Sequence, residues 1–267
     1  MKEIKTALIT GSNRGLGFEL IKSLSSEGFN IIACTRTKSQ TFTNEIAKIS
    51  EKNKNKIYNL NFDLQNLNEV NIKLSEFLNN YSENVDVLIN NAGILQNSLM
   101  LMTPLKEIEE LYRINVFSVI LITQIVAKKM IKNKSGNILN ISSISAKENN
   151  LGRSIYSSSK SAIESLTKSL SKELGRFNIR VNCISPGLID SEMLRKNTSE
   201  ENINKTMKRI ASQRLGTFED ISKLVLFLCS ENFNNSLSIT EVDFVPKSCK
   251  VEITPFCEKS PMQFFSL

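Results

Sequence analysis

Six short runs rich in isoleucine and valine recur along the chain, and longer segments with a different apolar rhythm lie between them. The runs are IKTALIT (4–10), NIIACTR (30–36), KIYNLNF (56–62), VDVLIN (85–90), GNILNIS (136–142) and NIRVNCIS (178–185). The longer segments, near 15–26, 42–52, 66–81, 106–131, 155–176 and 218–230, return an apolar residue every three or four positions, as at Leu166, Leu170 and Leu174. A short continuous apolar run is a strand buried on both faces, and a period near 3.6 is a helix with one buried stripe. Regular alternation of the two leaves one simple arrangement: parallel strands, right-handed crossovers, and helices over both faces. The expected fold is α/β, a three-layer doubly wound parallel sheet. No linker of proline, glycine or serine divides the chain, so residues 1–245 read as a single domain and 246–267 as an atypical tail.

Composition narrows the classes further. The chain has 267 residues, 40% of them hydrophobic and 23% charged, which is globular rather than disordered. The most apolar stretch, Val116 to Ala127, is about half a membrane span and contains Ser118, Thr123 and Gln124, so it reads as a buried helix. The opening MKEIKTALITGS turns strand-like too early for a signal peptide. Cys34, Cys183, Cys229, Cys249 and Cys257 form no CxxC pair, which fits a reduced cytoplasmic setting. With no histidine and scattered cysteines, no metal site is expected. The net charge of +7 comes from lysines spread along the chain, without the aromatic-interleaved basic cluster of a nucleic-acid face.

The first run ends in TGSNRGLG, Thr10 to Gly17. Gly11 allows a tight turn, and Gly15 and Gly17 allow a ligand and backbone to approach the new helix. The start of a helix offers unpaired N–H groups and partial positive charge to a diphosphate. The spacing is GxxxGxG, which a plain tight connection can also show; its place between the first strand and first helix favours the phosphate reading. The second run should end against an adenosine ribose, and there ACTRTK offers Arg36 and no acid. A carboxylate at that point repels a 2′-phosphate, whereas a guanidinium binds it through two charge-assisted bonds. Arg36, helped by Arg14, predicts NADP(H) over NAD(H), with an ordinary exposed arginine as the competing reading.

Tyr156 and Lys160, in YSSSK, stand four residues apart at the start of a helical segment and so share a face. A free tyrosine titrates near 10, out of range as a proton donor and acceptor at neutral pH, and a nearby ammonium favours its charged form by about 1–3 units. That pairing moves a proton without histidine.

Together with these, NNAG (90–93), Asn115 in RINV, NISS (140–143) and SPGLIDSEM (185–193) follow in order. The set resembles the short-chain dehydrogenase/reductase family over roughly residues 3 to 240, and NNAGILQNSLMLMT and QRLGTFEDISKLVLFLCSE look most like its 3-oxoacyl-[acyl-carrier-protein] reductase branch. The resemblance implies a Rossmann fold and an oxidoreductase acting on CH–OH or C=O groups. It assigns Tyr156 as proton donor, Ser143 as the hydroxyl that holds the substrate oxygen, and Lys160 as partner of the tyrosine and of the nicotinamide ribose. Asn115 supports a water relay beside a kinked helix. It places Gly11, Ser12, Asn13, Arg14, Gly15, Leu16 and Gly17 along the cofactor. Asp63 and Leu64 fall at the adenine, and Asn90, Ala92 and Gly93 pass along the ribose. Pro186, Gly187, Ile189 and Ser191 approach the nicotinamide.

Two regions depart from that pattern. The glycine expected after Thr240 is missing, Val242-Asp243 is followed by Phe244, and the last residues carry Phe256, Phe264 and Phe265 without a period. After Ser143, Ala146 replaces a usual glycine, and Lys147, Glu148, Asn149 and Asn150 form a polar rim that suits a sugar or phosphorylated group. Lys128, Lys129, Lys132 and Lys134 read either as a seat for an acidic carrier protein or as a solvated helix end. The leading expectation is an NADPH-dependent carbonyl reductase acting on a 3-oxoacyl thioester on a carrier protein, as a homo-oligomer. The alternatives are a sugar or nucleotide-sugar oxidoreductase of the same mechanism and a non-catalytic NADP-binding sensor.

Overall fold

Every apolar run becomes a strand. The computed structural model describes residues 4–148, 150–208, 213–230, 237–245 and 248–255. In chain order β1 is Thr6–Thr10, α1 Gly15–Ser26, β2 Asn30–Thr35, α2 Gln40–Asn53, β3 Ile57–Asn61, α3 Leu67–Asn80 and β4 Val87–Asn90. Then come α4 (Leu105–Tyr112), α5 (Ser118–Asn133), β5 (Gly136–Ile141), α6 (Ser145–Glu148), α7 (Ser154–Gly175) and β6 (Ile179–Ser185). The chain continues with α8 (Glu192–Asn197), α9 (Glu200–Met207), α10 (Phe218–Cys229), β7 (Leu237–Val245) and β8 (Ser248–Pro255). The strands lie in the order β3-β2-β1-β4-β5-β6-β7-β8. All neighbours are parallel except the last pair, β7 and β8, which is antiparallel. The doubly wound parallel sheet expected from the sequence is the one observed.

Successive strand residues point to opposite faces, so each strand feeds two cores. Ile9, Ile31 and Ile89 pack under α1, α2 and α10 with Leu20, Ile46 and Val225. Leu8, Ile32 and Leu88 pack on the other face under α3 and α5 with Leu74, Ile122 and Val126. The second group explains Val116 to Ala127. The stretch Leu105–Asn133 is apolar and long enough to cross a membrane by length and composition, yet Ile122, Val126, Ala127 and Met130 are core residues against the sheet.

The expected helix over 106–131 is not uniform. A π-helical turn, Arg113–Phe117, separates α4 from α5. Such a turn widens the helix locally and re-aims the side chains on it. Periodicity also missed α8 and α9, which bury few residues (none in α8, Ile203 in α9) and so leave little apolar rhythm. At the C-terminal end, Val242 and Asp243 align with Ile184 and Ser185 of β6, and β8 occupies part of the expected tail. Residues 256–267, with Phe256, Phe264 and Phe265, lie outside the described residues, as does Asn149.

The start of α10 bears on the site. Thr217 Oγ1 accepts from Asp220 N, and the Asp220 carboxylate accepts from Thr217 N, a reciprocal cap. Two hydrogen bonds from Arg214 hold the same carboxylate well below its ordinary range. The next residue, Phe218, sets its ring against Gly15, where an added Cβ would stand 3.4 Å away. Thr217→Ala is expected to lower stability by about 1 kcal/mol in urea unfolding.

Candidate active site

The strand order turns back on itself between β1 and β4, since β2 and β3 lie to one side and β5 and β6 to the other. The crevice at the carboxyl ends of those two strands is where such sheets bind ligands. Leaving β1, the chain turns at Gly11 (φ 67°) and enters α1 at Gly15 (φ 58°), both in the left-handed region. An added Cβ on Gly17 would fall 2.2 Å from the Gly11 carbonyl oxygen. Helix α1 begins without a side-chain cap and with no acid in its first turn. Its first N–H groups are therefore open to an anion, and the turn fits a dinucleotide diphosphate.

The other expected residues of this half fall around the turn. Ser12 is buried and donates to the Ile9 carbonyl at 2.6 Å, and its N–H bonds the Cys34 carbonyl at the end of β2. Leu16 packs into the core, whereas Asn13 and Arg14 are exposed. Arg14 donates to Glu192 of α8 at 3.2 Å, an ion pair across the crevice that sequence spacing gave no way to see. Arg36 is exposed one residue past β2. Asp63 Oδ1 accepts from Gln65 N at 3.0 Å, and Leu64 packs beside the second core.

The loop after β4 is sewn to the glycine turn. Asn91 and Ala92 both donate backbone N–H groups to Thr10 Oγ1 at 3.0 Å. Asn91 Nδ2 donates to the carbonyls of Thr10 at 2.9 Å and Gly11 at 3.2 Å. Asn91 was not among the expected site residues; the doubled asparagine of NNAG is the signal that could have found it. Asn90 instead turns inward, donating to Thr123 Oγ1 at 3.1 Å and Asn140 Oδ1 at 2.8 Å.

Gly93 lies where Asn115 and Lys160 come together. A Cβ there would stand 3.4 Å from Asn115 Oδ1 and 3.5 Å from Lys160 Nζ. Asn115 sits in the π turn and exchanges two bonds of 2.9 Å with the backbone of Ile94, while its Nδ2 also donates to Ser159 Oγ at 3.3 Å. Lys160 is only 5% exposed. Its ammonium donates to the Ile141 carbonyl at 2.8 Å and lies 5.8 Å from the centre of the Tyr156 ring. Tyr156 itself is half-buried. Ser143, two residues beyond Ile141, is half-buried and accepts from Ser145 N at 3.2 Å.

The last expected group follows β6. Pro186 is buried, and its carbonyl accepts from Ile144 N at 3.1 Å, so this loop touches the Ser143 turn. Ile189 bridges to Gly216, and Gly187 is half-buried. Ser191 caps α8, its Oγ accepting from Leu194 N at 3.1 Å.

Segments after β4, before α7 and at the end of α8 meet one another. Gly152 abuts Asn97, whose Nδ2 donates to the Asn197 carbonyl at 3.1 Å. They expose apolar side chains, with Met100 63%, Leu101 97% and Leu151 89% accessible. Lys147, Glu148 and Asn150 are exposed as well. The lysines at the end of α5 lie elsewhere. That end precedes β5, whereas Ser143 follows it, and six strand residues, roughly 20 Å, separate them. Lys129 is also occupied there, donating to the carbonyls of Leu78 and Tyr81 and lying over the Tyr81 ring.

Residues 5–202 match the family described as short chain dehydrogenase. A 3-oxoacyl-[acyl-carrier-protein] reductase FabG of Aquifex aeolicus is 36% identical over 227 residues, covering 85% of this chain and 90% of that protein. Among solved structures, acetoin dehydrogenase YohF from Salmonella typhimurium superposes with a TM-score of 0.78 at 28% identity, covering 90% of this chain and 94% of the other. A gluconate 5-dehydrogenase from Burkholderia cenocepacia J2315, in complex with NADP and tartrate, gives a TM-score of 0.79 at 26% identity, covering 86% and 89%.

Proposed function

This chain belongs to the short chain dehydrogenase family and is an oxidoreductase, and we propose that it reduces a 3-oxoacyl thioester on a carrier protein, using NADPH. One observation carries the catalytic part: a buried lysine ammonium beside the Tyr156 ring, with Asn115 and Gly93 packed around it. When bound, the nicotinamide supplies a hydride to the carbonyl carbon. Tyr156 Oη gives its proton to the carbonyl oxygen, which becomes the alcohol. Ser143 holds that oxygen by a hydrogen bond, and the Lys160 ammonium stabilises the negative charge left on the phenol until solvent returns a proton. Asn115, with its side chain committed to Ile94 and Ser159, keeps the floor of the site in shape for that return.

Gly11 to Gly17 would take the diphosphate, with Asp63 and Leu64 at the adenine and Ala92, Gly93 and the backbone of Asn90, whose side chain is committed inward, along the ribose. Pro186, Gly187, Ile189 and Ser191 would face the nicotinamide. The preference for NADP(H) rests on Arg36, an exposed guanidinium where an NAD binder carries an acid. Arg36→Ala is expected to raise KM for NADPH about tenfold or more and to leave KM for NADH nearly unchanged, because only the first cofactor has a 2′-phosphate to lose. Initial rates with both cofactors check this; a wild type that prefers NADH overturns the assignment.

The acyl substrate is supported by Met100, Leu101 and Leu151, apolar groups exposed on the segments that follow β4 and precede α7, and by similarity to a 3-oxoacyl-[acyl-carrier-protein] reductase. The polar neighbours Lys147, Glu148 and Asn150, with likeness to a gluconate dehydrogenase, favour a second reading, a sugar or polyol substrate. Oxidation of NADPH with a short 3-oxoacyl thioester, against a panel of keto sugars, separates the two. Tight NADPH binding without turnover on either panel would favour a non-catalytic sensor. In this reading the enzyme works in the cytoplasm as a homo-oligomer; the buried thiols of Cys34 and Cys229 fit a reducing setting.

A further inference from the structure

We propose that Glu164 is a positioning residue that clamps the Ser143 turn to the Pro186–Gly187 loop; the roles of those two loops are taken from the reading above. Glu164 is 8% exposed and lies one helical turn beyond Lys160 on α7. A single carboxylate oxygen, Oε1, accepts from Ser142 Oγ at 2.9 Å and from Ser185 Oγ at 2.8 Å. Ser142 immediately precedes Ser143, and Ser185 immediately precedes Pro186. The two strand ends are also joined by backbone, Ser142 N to the Ile184 carbonyl at 2.8 Å and Ile144 N to the Pro186 carbonyl at 3.1 Å.

The placement is systematic. Lys160 and Glu164, at i and i+4 on one helix face, take hold of consecutive residues of the β5 end: Lys160 bonds the Ile141 carbonyl and Glu164 bonds the Ser142 hydroxyl. Ser142 Oγ lies 3.2 Å from the Lys160 carbonyl as well, closing the contact from the helix side. A carboxylate carries a large desolvation cost in such a place, and an apolar residue would fill the space without it. What the carboxylate adds is a shared acceptor that fixes the distance between two loops. One loop holds the substrate oxygen and the other faces the group that delivers hydride to the carbon. Their spacing is the geometry on which the reaction depends.

Three variants test this. Glu164→Leu keeps the volume and removes the acceptor, Glu164→Gln keeps one acceptor oxygen, and Ser185→Ala removes one donor. Glu164→Leu is expected to lower kcat about 10- to 100-fold, with the NADPH dissociation constant kept within about threefold. Glu164→Gln should recover kcat to within about threefold of wild type, and Ser185→Ala should cost about three- to tenfold and add little in the Leu background. A purely structural role would lower the melting temperature and the active fraction without this split between kcat and cofactor binding, and without rescue by glutamine. A Leu variant whose kcat per folded molecule stays within about twofold of wild type, or a Gln variant as impaired as it, overturns the proposal. Hydrogen exchange gives a readout independent of activity: amides of Ser142 and Ile144 should exchange about tenfold or more faster in Glu164→Leu while those of β1 do not change. Unchanged exchange at both also overturns it. If the wild type reduces no carbonyl with either nicotinamide, the functional reading falls on its own, and the exchange measurement still decides the role of Glu164.

Discussion

Tyr156→Phe lowers carbonyl turnover by about a hundredfold to ten-thousandfold, the range a positioned proton donor supplies, and leaves NADPH binding in place. The ring remains, so its packing near Lys160 and the fold around it survive; only the hydroxyl is lost. No histidine exists in this chain to substitute as a donor, and water reaching the oxygen directly would lack the ammonium that lies 5.8 Å from the Tyr156 ring. The checks are kcat from NADPH oxidation with a 3-oxoacyl thioester and the NADPH dissociation constant from fluorescence titration. A phenylalanine variant with wild-type kcat would remove Tyr156 from the chemistry.

The second large effect is expected at the glycine turn. In Gly17→Ala the new methyl would lie 2.2 Å from the Gly11 carbonyl oxygen and 2.8 Å from Asn91 Nδ2. The first of these is backbone and cannot rotate away, so the turn must open. Opening it separates Gly11 from Asn91 and breaks the seam between the β1 and β4 loops. Overpacking of this kind costs about 1–3 kcal/mol or more, and NADPH affinity should fall at least about tenfold because the diphosphate loses its cradle. Gly28 provides the contrast. Unlike Gly17, it has a left-handed φ, 83°, but a Cβ there meets nothing. Gly28→Ala should cost only the backbone penalty, about 1–2 kcal/mol, and leave cofactor affinity unchanged. Paired urea unfolding and NADPH titration distinguish the two sites.

Those expectations rest on local features that sequence displays well. The strands were legible because both their faces are buried, which leaves unbroken apolar runs such as Ala7, Leu8 and Ile9. Tyr156 and Lys160 were legible because four residues make one helical turn. Long-range partnerships were not. Nothing in the spacing joins Arg14 to Glu192, or Ser185 to Glu164; each pair is made by the fold bringing separate elements together. The π turn at Asn115 was hidden for a different reason. Its residues Ile114, Asn115 and Val116 are all buried, so the local excess residue does not interrupt the apolar pattern that marks a helix. Helices α8 and α9 were missed because they bury almost nothing, and burial is what writes a period into a sequence.

Transfer of label follows the hydride itself. Wild-type protein is mixed with a short 3-oxoacyl thioester and NADPH carrying deuterium at both nicotinamide C4 positions, and the product is weighed by mass spectrometry. One deuterium is expected on the new carbinol carbon, placed rapidly by wild type and at a greatly reduced rate by Tyr156→Phe. Cofactor oxidation without label on that carbon, or labelling at the same rate in both proteins, would contradict it.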